Sequence, residues 1–189
     1  MVKKELRKLT LAATLTALSI VIDILSKTII PSGVSFGFPF YAIPLVIGSI
    51  VLGPIYGVTM GFLSDLVGFM SFPQGTYDIL FALQAMAWGV IPWLIARRKS
   101  SAPRVVIAVL VTHIVASLCS TTADFFGAFA YNGGNINQSF IYMWRFLPLR
   151  LMMMPVNIIL ISVITYISNQ RLEPIYEEFF GKKQLNNQS

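Results

Sequence analysis

Six charged side chains lie in or beside stretches of the chain that are otherwise apolar. They are Asp23, Asp65, Asp78, Asp124, Arg145 and Arg150. A charge at the centre of a membrane-spanning helix costs at least about 2.5–3.5 kcal/mol, so it needs a partner, water or a function. All six are predicted near the outward ends of helices, and this clustering predicts one shared, hydrated site.

The two arginines belong to the segment Trp144–Arg150. Their separation corresponds to about 140° of rotation on a helix, so they do not share a face. A guanidinium can hold a carboxylate by two parallel hydrogen bonds, which makes Arg145 and Arg150 candidate ligands for a small anion. The alternative is an internal salt bridge with one of the aspartates.

Gln84 and Trp88 are four residues apart and share one helix face. The glutamine amide needs a partner inside a membrane, and the indole offers a flat surface for a ring or an amide. Asp65 is a candidate acceptor for a ligand amine or a partner of an arginine. Asp78 is predicted either to contribute to the site or to cap a helix.

Aromatic and amide side chains near the outward helix ends complete the predicted site. Tyr77, Tyr131 and Trp144 are candidates, although aromatic residues also mark membrane interfaces. Tyr131 and Asn132 adjoin a glycine pair and are therefore the stronger ligand candidates.

Enzyme and metal chemistry lack a recognisable motif. His113 is the only histidine and Cys119 the only cysteine, so we expect no metal site and no disulfide framework. His113 is predicted to be a hydrogen-bonded packing residue. An intramembrane enzyme acting on lipid, with Asp65 and Asp124 as acid and base, remains the alternative function.

The composition requires lipid around the chain. Of the 189 residues, 56% are hydrophobic and 12% charged, with a mean hydropathy of +0.72, whereas soluble domains carry about 25% charged residues. We predict an all-α membrane protein with a single transmembrane domain over residues 1–189 and a polar tail from about residue 170. No ATP-binding domain fits.

Six transmembrane helices are predicted from the apolar stretches. They cover about Leu9–Ile30, Phe40–Leu52, Ile55–Phe69, Tyr77–Ala96, Val105–Phe126 and Met143–Ser168, with a polar loop over Ala130–Ser139. All of the 14 basic residues except Lys27, Arg145 and Arg150 then fall on one side. Basic residues mark the cytoplasmic side, so both termini are predicted to be cytoplasmic.

Several short motifs, in their order along the chain, resemble one family. They are the basic start followed by Leu9–Leu18, the turn Gly53-Pro54-x-x-Gly57, the segment Phe72–Tyr77, and Phe146–Arg150 with Pro155 following. In this order they resemble the substrate-binding S component of an energy-coupling factor (ECF) transporter of the folate-type group.

The resemblance implies a function and partners. It implies high-affinity capture of a water-soluble vitamin at the outer face of a bacterial plasma membrane, with the loop Pro31–Phe40 closing over the site. It implies a transmembrane scaffold subunit and two cytoplasmic ATPases, which use the ATP, so that this chain needs no cofactor. Release follows when the subunit topples in the membrane.

Ala13 and Ala17 would face the scaffold, because small residues four apart let another helix approach closely. Packing within the same bundle is the alternative.

The cargo and one further function class stay open. An arginine in the site favours pantothenate, while folate and hydroxymethylpyrimidine are the other cargoes of this group. A stand-alone secondary transporter is a further alternative, although such proteins usually show internal repeats and broken helices.

Overall fold

A computed structural model describes residues 2–29, 38–71, 73, 77, 79–96, 101–172 and 175. These residues form six α-helices and, within that part of the chain, no β-strand. The helices are α1 (Val2–Ile29), α2 (Ala42–Leu52), α3 (Pro54–Ser71), α4 (Ile79–Ile95), α5 (Ala102–Tyr131) and α6 (Ile136–Arg171). The all-helical prediction is confirmed. Asp78, residues 31–37 of the predicted closing loop and the end of the polar tail lie outside the described residues.

Length and composition identify three membrane-crossing candidates among the described helices. They are α1, α5 and α6, of 28, 30 and 36 residues. A spanning helix needs about 20 residues. The remaining helices are shorter, down to 11 residues in α2. Helix length and composition therefore support three of the six predicted spans.

The short helix α2 forms the centre of the bundle. It contacts α1, α3, α4 and α6, and Leu45 and Val46 have no exposed surface. It ends at Gly53, whose φ of 99° lies in the region that favours glycine. Pro54 then begins α3, where its missing N–H costs nothing. The turn predicted at Gly53-Pro54 is confirmed.

Helices α3 and α4 touch along their backbones. A Cβ added at Gly57 would overlap the carbonyl of Gly89, and one added at Gly89 would overlap that of Gly57. One turn along, Gly61 lies against the backbone of Ala85. Only small residues allow such a close approach, and this contact fixes how α4 presents Gln84 and Trp88.

The prediction for the start of the last helix was wrong. We expected a loop over Ala130–Ser139 and a helix from Met143, but α5 continues to Tyr131 and α6 already begins at Ile136. The reason is a cap: the Asn135 side chain accepts a hydrogen bond from the backbone N–H of Gln138 at 3.2 Å. Asparagine is among the best residues for starting a helix, so the polar residues after it are helical.

Helix α1 also begins earlier than predicted, at Val2 rather than Leu9. Its charged first turns are polar but still helical, and Lys8 pairs with Glu5 at 2.7 Å. Further along α1, Ala12 and Thr16 are buried, whereas Ala13 and Ala17 are exposed. The bundle therefore leaves this small-residue face uncovered.

Candidate substrate-binding site

A buried ion pair joins α5 to α6. Arg150 Nη1 lies 2.8 Å from Asp124 Oδ2, and both side chains are 7% exposed. The same nitrogen donates to Thr121 Oγ1 at 3.3 Å. Thr121 and Asp124 lie on neighbouring turns of one face of α5, so the pairing follows from helical spacing. Of the salt bridges that the sequence left open, this one forms.

Arg150 also lines a cavity that four parts of the chain enclose. We call it the central cavity. The other lining residues are Pro39, Gln84, Trp88, His113, Ala116, Ser117 and Ser120. Its free volume is about 20 Å³, which holds about one water molecule. A larger ligand therefore requires the surrounding elements to move apart.

A hydrogen-bond chain holds Gln84 at the cavity wall. Its Nε2 donates to Tyr41 Oη at 2.9 Å. The Tyr41 carbonyl accepts from Ser19 Oγ at 2.8 Å, and Ser19 Oγ lies 2.7 Å from Ser64 Oγ. These bonds connect α1, α3 and α4 to the start of α2, so the position of Gln84 depends on several helices at once.

Trp88 contributes a buried donor. The side chain has no exposed surface, and its Nε1 has no hydrogen-bond partner within the described part of the chain. Leaving a buried donor unsatisfied costs about 1–3 kcal/mol. Since Trp88 lines the central cavity, an acceptor on a ligand or a water is the natural partner for this N–H.

The sequence reasoning did not identify the polar cavity residues Ser117 and Ser120 as site residues, nor did it identify His113. His113 packs as predicted, being 5% exposed, and its ring meets that of Trp88 edge to face with the centroids 5.5 Å apart, but it also lines the cavity. The sequence does contain a pattern that could have identified His113 as a site residue. His113, Ser117, Ser120 and Asp124 recur at intervals of three and four residues, which places them on one face of α5.

The predicted cluster of charged residues is present in part, because the charges of Asp23, Asp65 and Arg150 all act on the Tyr41 hydroxyl, but each described aspartate also has a local partner. Asp23 pairs with Lys27 on α1 at 2.6 Å. Asp65 accepts a hydrogen bond from Tyr77 Oη at 2.9 Å. Neither Asp23 nor Asp65 lines the central cavity. Each described aspartate of the set has found its own partner, because nearby cations and hydroxyls satisfy the carboxylates locally.

The remaining candidates lie at the connection between α5 and α6. Asn132, Trp144 and Arg145 line an open cleft, here called the surface cleft, together with Gln138, Ile141 and Tyr142. Tyr131 is 91% exposed. The guanidinium of Arg145 lies over the Phe146 ring at 5.6 Å. The structure does not bring these four candidates to Arg150.

Together, these features define a helical membrane protein with a small, partly open, polar cavity between its helices. Residues 7–168 match the family model described as ECF transporter, substrate-specific component. The chain therefore belongs to the family of substrate-specific components of ECF transporters, which places it among transporters rather than enzymes.

One curated relative has a known cargo in its name. The chain is 32% identical over 90 residues to the folate transporter FolT of Clostridium novyi (strain NT), which covers 47% of this chain and 50% of that protein. The chain thus spans about half the length of that relative. No solved structure matches the chain.

Proposed function

We propose that this chain is the substrate-capture subunit of an ECF-type importer, and that its cargo is a water-soluble vitamin with a carboxylate group. The observation that carries the proposal is that one cavity is lined both by Arg150 and by Trp88, whose buried indole N–H has no described partner. Both groups are donors, and a carboxylate is an acceptor for each.

Arg150 remains able to bind a ligand although it is paired with Asp124. Both described contacts of its guanidinium use Nη1. A guanidinium has five N–H donors, so Nη2 and Nε are left to hold a carboxylate in the two-pronged geometry that arginine favours. In this proposal Asp124 orients the arginine and balances its charge before the cargo arrives.

Pantothenate is our first choice of cargo and folate our second. Both carry a carboxylate, whereas hydroxymethylpyrimidine does not. The small free volume of the cavity, about 20 Å³, favours the smaller vitamin because its entry requires less separation of the helices. The likeness to a folate transporter over half the chain and the indole of Trp88 favour folate.

The cargo is tested first by what the protein retains. The detergent-extracted chain is denatured, and the released small molecules are identified by mass spectrometry. Calorimetric titration with pantothenate, folate and hydroxymethylpyrimidine follows. We expect one of the carboxylates to bind tightly without ATP. Tight binding of hydroxymethylpyrimidine alone would contradict the carboxylate proposal while leaving vitamin capture in place.

We further propose six spans in the bacterial plasma membrane with both termini in the cytoplasm. The distribution of the basic residues supports this orientation. Cargo then enters from outside, the segment Pro31–Phe40 closes over it, and toppling of the subunit releases it. Cysteine-accessibility labelling at residue 2 and at residue 134 tests the topology, with labelling of Gly134→Cys expected only from outside.

The exposed face of α1 is the proposed contact with a transmembrane scaffold, which in turn joins two cytoplasmic ATPases. We expect Ala13→Arg and Ala17→Arg to retain cargo binding but to stop uptake in cells. Ile159→Arg is the matched control, because it places the same charge on an exposed face of α6. Normal uptake by both alanine variants would remove this docking site.

Uptake by the chain alone provides a further check. We expect vesicles that contain only this subunit to accumulate no vitamin. Accumulation driven by an ion gradient would identify a stand-alone secondary transporter instead.

A further inference from the structure

A chain of three polar side chains runs from the interior of α6 to the central cavity. Asn157 Nδ2 lies 3.2 Å from His113 Nε2, and His113 Nδ1 lies 3.3 Å from Ser117 Oγ. Asn157 is 1% exposed, while His113 and Ser117 both line the cavity. The chain therefore connects a buried amide to a hydroxyl at the proposed binding site.

The direction of these bonds follows from the chemistry of the groups. An amide nitrogen donates and does not accept, so His113 Nε2 must be the acceptor. A neutral imidazole carries one N–H, which then lies on Nδ1 and donates to Ser117 Oγ. Because the oxygen of Ser117 accepts this bond, its own hydrogen is left for another partner.

We infer that Asn157 and His113 are positioning residues that hold the Ser117 hydroxyl as a hydrogen-bond donor to the cargo. This inference rests on the proposed function for the identity of the ligand. The direction of the hydrogen bonds from Asn157 through His113 to Ser117, here called the relay, does not depend on that function. Ser117, Trp88 and Arg150 then supply three kinds of donor to one cavity. A cargo that presents a carboxylate or carbonyl oxygen matches these three donors.

The direction of the relay can be measured without any ligand. His113 is the only histidine in the chain, so a nitrogen NMR spectrum of the uniformly labelled protein, with its purification tag removed, contains one imidazole. We expect a neutral ring with its proton on Nδ1. A proton on Nε2 would mean that the Asn157 amide is turned the other way, and it would overturn the relay.

Binding variants test whether the relay acts on the cargo. In His113→Asn the amide nitrogen can replace Nδ1 as donor to Ser117, whereas His113→Leu provides no donor. We expect pantothenate or folate, whichever the wild-type chain binds, to bind about ten-fold more weakly to His113→Leu and to Ser117→Ala, the range of one hydrogen bond. His113→Asn should stay within about three-fold of the wild type.

The double variant His113→Leu/Ser117→Ala separates a relay from two independent contacts. If His113 acts only through Ser117, the double variant binds no more weakly than Ser117→Ala alone. Fully additive losses would overturn the relay. Failure of the wild-type chain to bind any carboxylate vitamin would overturn the proposed cargo and the donor role of Ser117, while the NMR measurement would still decide the direction of the bonds.

Discussion

Arg150 and Arg145 lie five residues apart on one helix, yet they belong to two different regions. Arg150 is 6% exposed in the central cavity and is paired with Asp124. Arg145 is exposed in the surface cleft and lies over an aromatic ring. The same residue type is therefore a buried, oriented donor in one place and a solvent- or lipid-facing cation in the other. Burial and partner, rather than residue type, distinguish a site residue from a surface residue.

The largest expected effect comes from removing the cavity arginine. Arg150→Ala leaves Asp124 as an uncompensated buried charge, which costs about 3–5 kcal/mol of stability. It also removes the proposed carboxylate ligand, so we expect cargo affinity to fall by about 100-fold or more. Arg145→Ala should change stability by less than about 0.5 kcal/mol. Thermal unfolding in detergent and calorimetric titration measure the two effects.

A double substitution separates stability from binding in the same region. Arg150→Met with Asp124→Leu replaces the ion pair by apolar side chains of similar size, which is often neutral or stabilising. We expect its unfolding temperature to recover while its cargo affinity stays about 100-fold or more below that of the wild type. Wild-type affinity in this double variant would show that the arginine holds no part of the cargo.

The glycines extend the comparison from charge to packing. Gly89→Ala brings a methyl group into the backbone of Gly57, and overpacking of this kind costs about 1–3 kcal/mol. Gly127, near the end of α5 that leads to the surface cleft, has nothing within 4 Å of an added Cβ. Gly127→Ala should therefore stabilise α5 by about 0.5–1 kcal/mol. Equal melting temperatures for the two variants would contradict the close approach of α3 and α4.

The tryptophans provide a matched test of the unpartnered donor. Trp88→Phe keeps an aromatic ring but removes the N–H, and we expect cargo to bind about five- to ten-fold more weakly. Trp144 is 58% exposed, so Trp144→Phe should leave binding unchanged. Competition titration against the wild-type chain measures both. A loss of affinity in Trp144→Phe alone would move the site to the surface cleft.

The order of the helices could be predicted from hydropathy because each apolar stretch is bounded by glycine, proline or charge. The partners of the charged residues could not be predicted in this way. Helical spacing indicates which residues share a face, as for His113, Ser117 and Asp124, but it does not indicate which helix lies opposite that face. For this reason, spacing could not show that Asp65 pairs with Tyr77 or that Asp124 pairs with Arg150.

The predicted site residues fall into two groups, those that line the central cavity and those that do not. Gln84, Trp88 and Arg150 were predicted and line the central cavity, because an isolated polar group in an apolar helix tends to face the interior. Tyr131 and Asn132 were chosen because they adjoin a glycine pair, and Trp144 because it is an aromatic residue near an outward helix end. Glycine-rich connections and interfacial aromatic residues occur at helix ends whether or not a cavity is nearby. The pattern therefore could not distinguish residues of the surface cleft from residues that line the central cavity.

The smallest expected effect lies at the cap that begins α6 beside the surface cleft. Asn135→Ala removes the acceptor for the Gln138 N–H and should cost about 0.5–2 kcal/mol. Asn135→Ser and Asn135→Asp retain a capping oxygen and serve as controls. Because the cap lies outside the central cavity, we expect lower thermal stability with unchanged cargo affinity. A loss of affinity in Asn135→Ala that Asn135→Asp restores would show that the surface cleft and the central cavity are coupled through α6. The regions of Arg145 and Arg150 would then not be independent of each other.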